Sequence, residues 1–190
     1  MGFAISWLAV SGKSPQQVLD ELGLMRDGQS EAIPESALTC ATLQGGWFVV
    51  FANEFDSPLV ARQTLCKVSE GCTVVSCRIE EHVMFSSVTC YVNGSRSWYV
   101  AHDAQEGIYH LTSSGDVPTA FRAIHDAIKL QQDAAGGEDA DVDYLHDVPV
   151  DLAKAVTAFR HDEDVQGTDD EPFKVLRRDR PKAKPWWKFW

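Results

Sequence analysis

VMFSSVTCYV-NG-SRSWYVAHD, residues 83–103, is the stretch on which the fold turns. Two runs rich in β-branched and aromatic residues flank Asn93-Gly94, a dipeptide suited to a type I′ turn, whose two central positions both need positive φ. A two-residue loop fixes the pairing, so that 92 faces 95, 91 faces 96, 89 faces 98, 87 faces 100 and 85 faces 102. One face of the hairpin then carries Phe85, Ser87, Thr89 and Tyr91 with His102, Val100, Trp98 and Arg96. The other carries Met84, Ser86, Val88, Cys90 and Val92 with Asp103, Ala101, Tyr99, Ser97 and Ser95. The second face, small and apolar, is expected to meet the core. The first, holding Tyr91, Arg96 and Trp98, is expected to lie under a helix or to open to a partner.

Residues 72–79 add a strand before this hairpin and residues 107–112 one after it, so 72–112 reads as a central β-meander. Upstream, residues 3–10 are apolar enough for a central strand. Ser14, Pro15 and Gln17 then write a helix start with a capping box, and Gly23 writes its end. Residues 25–31, 37–43 and 47–53 read as strands, the last two joined by Gly45-Gly46, and Ser57-Pro58 starts a second helix. Downstream, Val117, Ala120, Phe121, Ile124 and Ile128 keep a helical period, and Pro149 opens a helix with Leu152, Ala155, Val156 and Phe159 on one side. The expectation is an α+β domain over residues 1–161, with a largely antiparallel sheet and about four packed helices. An acidic linker over 162–173 and a basic, Trp-rich tail over 174–190 are expected to follow.

Charge is unevenly spread. The net charge is −11, yet residues 174–190 carry seven Lys and Arg against one Asp, which leaves −17 on the rest. So acidic a body repels phosphate backbones, and nucleic-acid binding through it is disfavoured. Five cysteines cannot all pair and lie in apolar surroundings, which reads as reduced thiols in a cytoplasmic protein. No basic, apolar leader opens the sequence and no stretch has the length of a membrane span. Met1-Gly2 through Ser6 matches the myristoylation pattern, but the same residues read as the start of a buried strand.

Motif spacing removes most chemistry. Gly12-Lys13-Ser14 lacks the first glycine of a phosphate loop, since Trp7 stands there. Asp139, Asp141 and Asp143 begin like a calcium loop, but Tyr144 occupies its glycine position and Val150 its glutamate position. Cys72 and Cys77 fall on opposite strand faces, so neither a metal nor a cofactor is expected. The remaining catalytic candidates are His82, His102, Asp103 and Glu81 at one end of the meander, which would suit an acid–base site if they converged. The binding candidates are Trp186, Trp187, Phe189 and Trp190, with Arg177 and Arg178 before them. So dense an aromatic cluster beside cations points to a tail that folds back with its basic part on the acidic body, to a groove on a partner protein or to an anionic membrane surface.

Ile5 to Val10 with Gly12-Lys13-Ser14, Glu80 to Ser87, and Trp98 to Asp103 together resemble segments of a family of uncharacterised bacterial proteins. The likeness covers residues 3–161. It implies a bacterial, cytosolic origin and carries no activity. The functional expectation is therefore a non-catalytic protein-binding protein of the immunity or adaptor kind, with the tail as interaction element. The alternatives are a small enzyme at the meander's end and a membrane-associated protein held by the tail.

Overall fold

The structure, a computed structural model, describes residues 2–165 and 170–179. In chain order the elements are β1 (Ala4–Ser11), α1 (Pro15–Leu22), β2 (Leu24–Glu31), β3 (Leu38–Thr42), β4 (Trp47–Ala52), α2 (Arg62–Val68), β5 (Thr73–Glu80), β6 (Phe85–Val92), β7 (Ser95–Asp103), β8 (Thr112–Gly115), α3 (Ala120–Ala134), α4 (Asp147–Thr157) and β9 (Phe173–Arg178). The nine strands form one antiparallel sheet in the order β2-β9-β3-β4-β1-β5-β6-β7-β8. The expected α+β fold is the fold observed.

Local chemistry explains the early elements. Ser14 caps α1 and shares a capping box with Gln17, Pro15 enters the first turn, and Gly23 leaves it with φ +64°. β1 takes the middle of the sheet because both its faces are apolar, as a central strand requires. Its Leu8 and Val10 pack with Val18, Leu19, Leu65 and Val68 of α1 and α2. Its Ile5, Trp7 and Ala9 pack on the opposite face with Val150, Leu152 and Ala153 of α4 and with Phe159. Each such large apolar side chain, fully buried, contributes about 1.5–3 kcal/mol. Helices thus cover both faces of the sheet.

Two findings correct the sequence reading. The β6–β7 pairing begins as expected, with 92 opposite 95 and 91 opposite 96, but then Cys90 faces Trp98, Val88 faces Val100 and Ser86 faces His102. Ser97 is a β-bulge, an extra residue that the partner strand does not match, and it shifts every later pair by one. A one-residue slip exchanges faces. Trp98, Val100 and His102 therefore join Val88 and Cys90 under α4, while Tyr91 packs toward α1 and α2. The expected single aromatic face does not form.

The second correction concerns residues 173–178, assigned above to the linker's end and the tail. They are β9, inserted between β2 and β3 with Phe173, Val175 and Leu176 buried. Lys174 is no obstacle, because its Nζ turns outward to Ser30 Oγ at 3.0 Å. The domain therefore extends past residue 161. Near β8, residues 107–111 form a turn rather than a strand, and pairing resumes only at Thr112. Trp186, Trp187, Phe189 and Trp190 lie outside the described residues.

Candidate functional site

Antiparallel pairing gathers the starts of β1, β3 and β6 and the ends of β4, β5, β7 and β9 at one end of the sheet. Two depressions open there. Gly2 and Arg160 line one, Phe3 and His161 line the other, so these two adjacent pairs form the wall between them.

The first depression, of about 510 Å³, is polar and is lined by Glu81, His82, Asp143, His146, Asp147 and Arg160. Beneath it lies a buried network. His102, wholly inaccessible, sets Nε2 2.7 Å from Asp143 Oδ2 and Nδ1 2.7 Å from the His110 carbonyl oxygen. Both ring nitrogens face acceptors, so the ring satisfies both when it carries a proton on each. The other Asp143 oxygen accepts the His146 backbone N–H at 3.3 Å, and Ser86 Oγ donates to the His146 carbonyl at 2.6 Å. These bonds tie the loop before α4 to β6 and β7.

The sequence candidates are placed as follows. His82 is exposed, its Nδ1 2.7 Å from Glu80 Oε1, and Glu81 accepts the Phe3 backbone N–H at 2.8 Å. Asp103 caps the turn after β7 by accepting the Gln105 N–H. Glu81 and His82 therefore share a depression with Asp143, which holds His102, while Asp103 does not line it. Arg96 stacks its guanidinium 5.6 Å from the Tyr99 ring on the surface. Arg177 and Arg178 are exposed at the end of β9, and Arg178 borders a groove with Leu22, Leu24 and Leu38.

Sequence reasoning passed over Asp143, His110 and His146. Asp143 had been weighed only as part of a failed calcium loop, and no local pattern links it to a histidine 41 residues away. As chemistry the polar depression is incomplete. His146 Nε2 is buried without a hydrogen-bond partner, but Arg160 is committed to Asp147, Asp151 and Asp162. Burial opposes the Arg160 charge, yet Asp162 and Asp147 hold the group above its ordinary value. Burial likewise raises the thiols, to about 12 at Cys77 and about 11 at Cys90, so they do not supply a nucleophile. Among the described residues no cluster of three or more His, Cys, Asp or Glu is arranged to hold a metal.

The second depression, of about 730 Å³, is apolar, with Phe3, Ile33, Pro34, Phe51, Phe173 and the His161 ring among its walls. Its rim is acidic. Asp162 is paired with Arg160, and Glu163 with Lys154, but Glu35 and Asp164 have no partner for their carboxylates among the described residues. Of the large apolar side chains left exposed, Phe3, Ile33 and Val83 all stand at this end of the sheet. His161 stacks edge-on to Phe3, and its side chain is 3% exposed. Among the described residues neither ring nitrogen has a hydrogen-bond partner, since Asp162 Oδ1 at 3.7 Å is out of range.

Burial holds both His146 and His161 below the ordinary histidine value. Each ring stays neutral in the fold while the unfolded chain takes up protons near pH 6.5, so acid favours unfolding. Stability is expected to be fullest above about pH 6.5 and to fall as pH drops from there toward the folded-state values. The slope from each ring approaches about 1.4 kcal/mol per pH unit. Urea denaturation across this range checks it, and His146→Gln and His161→Gln should each flatten the profile. An unchanged profile in both variants would show that neither ring is responsible.

Comparison with protein-family models, curated proteins and solved structures finds no match to this chain. No described helix is long and apolar enough to cross a membrane.

Proposed function

We propose that the protein is a non-catalytic binding protein of the immunity or adaptor kind. It takes a partner protein through the apolar depression at the end of the sheet. The observation that carries this reading is a cavity of about 730 Å³ walled by Phe3, Ile33, Phe51 and Phe173, with Glu35 and Asp164, unpaired among the described residues, at its rim. An apolar hollow with a charged rim is how hot-spot side chains are received at protein interfaces. The chemistry it fits is an aromatic or long aliphatic side chain flanked by lysine or arginine. In the polar depression Arg160 is already committed to three carboxylates, which weighs against its use in holding a substrate anion. The resemblance over residues 3–161 adds a bacterial cytoplasm as the setting.

Selection of a displayed peptide library on the full-length protein tests this. The expected result is a consensus with an aromatic residue beside Lys or Arg, lost when selection is repeated on Ile33→Asp. Ile33 is 57% exposed, so the substitution changes the hollow without touching the core. No consensus, or one equally recovered by the variant, would sink the proposal.

A further inference from the structure

We infer that the apolar depression is occupied by the basic, aromatic segment of the same chain that follows β9, with a Trp186 or Trp187 indole seated against His161. The inference rests on the binding role proposed for that depression and names its resident occupant. Three observations meet here. The first is chemical. Lys182, Lys184 and Lys188 flank Trp186 and Trp187, which is the pattern of an apolar insert between cations that Glu35 and Asp164, unpaired among the described residues, favour. Residues 1–179 carry a net −15, since Arg180, Lys182, Lys184 and Lys188 supply +4 of a total of −11, so the attraction is general as well as local.

The second observation is the vacant hydrogen-bonding capacity of His161. A buried indole requires an acceptor for its N–H, and a neutral imidazole offers one lone pair. His161 lines the depression with its side chain 3% exposed and both ring nitrogens buried and unpartnered among the described residues, so the ring has to turn toward an entering indole to offer its lone pair. Leaving such a group unsatisfied in an apolar wall is costly, and an indole N–H removes that cost.

The third is reach. β9 begins at Phe173, itself a wall of the depression, and its exit is fixed where the Asp179 N–H donates to the Gly23 carbonyl at 2.8 Å. At about 3.3 Å per residue, Asp179 lies roughly 20 Å from Phe173. Residue 186 lies up to about 25 Å of extended chain beyond Asp179, and residue 190 up to about 40 Å. The segment is therefore long enough to double back along the sheet. Tethering supplies an effective concentration near the millimolar range, so even a modest intrinsic affinity keeps the site filled.

Fluorine NMR of the full chain labelled with 5-fluorotryptophan tests this, with signals assigned by Trp186→Phe, Trp187→Phe and Trp190→Phe. The Trp186 or Trp187 signal is expected to sit away from the random-coil position and not to change on dilution. It should return to the random-coil position in Ile33→Asp, while the Trp7 and Trp98 signals, which report the core, stay in place. In parallel, a labelled library-selected peptide should bind the Trp186→Ser/Trp187→Ser/Trp190→Ser variant about 10-fold more tightly than the parent, because self-competition is removed. Random-coil signals indifferent to Ile33→Asp overturn the inference. So does a signal that moves on dilution, which would mean insertion into a second copy. If the inference fails in this way while Ile33-dependent peptide binding persists, the binding role stands with an external partner alone.

Discussion

Asp143→Ala is expected to lower stability by about 3–5 kcal/mol, measured by urea denaturation at neutral pH, with Asp143→Asn intermediate. The size follows from what the substitution leaves behind. His102 is wholly buried, its Nδ1 is committed to the His110 carbonyl, and its Nε2 has only Asp143 in reach at 2.7 Å. Alanine strands an N–H or a charge in the layer between β7 and α4, and the surrounding side chains give it no second acceptor. Asparagine keeps a polar partner but not the charge. The loss should also spread, because the second Asp143 oxygen holds the His146 N–H beneath the polar depression. If the pair costs as much to bury as it returns, replacing both members should cost little. His102→Phe/Asp143→Leu is therefore expected within about 1.5 kcal/mol of the parent, the residue being the lost bond to His146. A loss below about 1 kcal/mol for Asp143→Ala would mean that water or a neighbour satisfies His102, and the buried pair would lose its structural role.

Most of the framework was legible because it is written locally. The capping box at Ser14 and Gln17, the Asn93-Gly94 turn and the two-sided apolar character of β1 each decide their own geometry. β9 was obscured by composition. Lys174, Arg177 and Arg178 share a basic run with the tail, yet Phe173, Val175 and Leu176 between them are what the sheet buries. Reading the charges first hid a strand whose apolar positions sit among cations. The site was less legible, for two reasons. Its members come from the residues before β1, the β2–β3 loop, β4, the β5–β6 turn, the segments before and after α4, and β9, so no spacing in sequence links them. And the Ser97 bulge reverses the side to which His102 and Trp98 point, which an alternation rule applied from Asn93-Gly94 gets wrong by one residue. Nothing in Ser95-Arg96-Ser97 marks it as a bulge. The signal lies 18 residues on, at Gly115.

Gly115→Ala is accordingly expected to be the costliest glycine substitution in the sheet, at about 2–4 kcal/mol, and Gly45→Ala is its control. Both glycines have nearly the same left-handed φ, +79° and +80°, so both exact the strain of a side chain in that region, about 1–3 kcal/mol. They differ in surroundings. A Cβ on Gly45 meets nothing within 4 Å, whereas one on Gly115 falls 2.0 Å from the Ser97 carbonyl oxygen and 2.9 Å from Trp98 Cα. Those are backbone atoms of the bulge, which cannot rotate aside as a side chain can. Either β8 leaves β7, or the bulge gives way and the later residues of β7 are drawn toward the unbulged pairing. The second route would turn His102 from Asp143, so the two outcomes differ in where the damage appears. Loss of β8 alone exposes amides of residues 98–101 to hydrogen exchange and leaves the His102 side-chain resonances in place. Relaxation of the bulge moves those resonances and removes the benefit of Asp143, so that adding Asp143→Ala costs little more. Equal stability losses for Gly115→Ala and Gly45→Ala would show that the clash is relieved without either movement, and that φ strain is the whole effect.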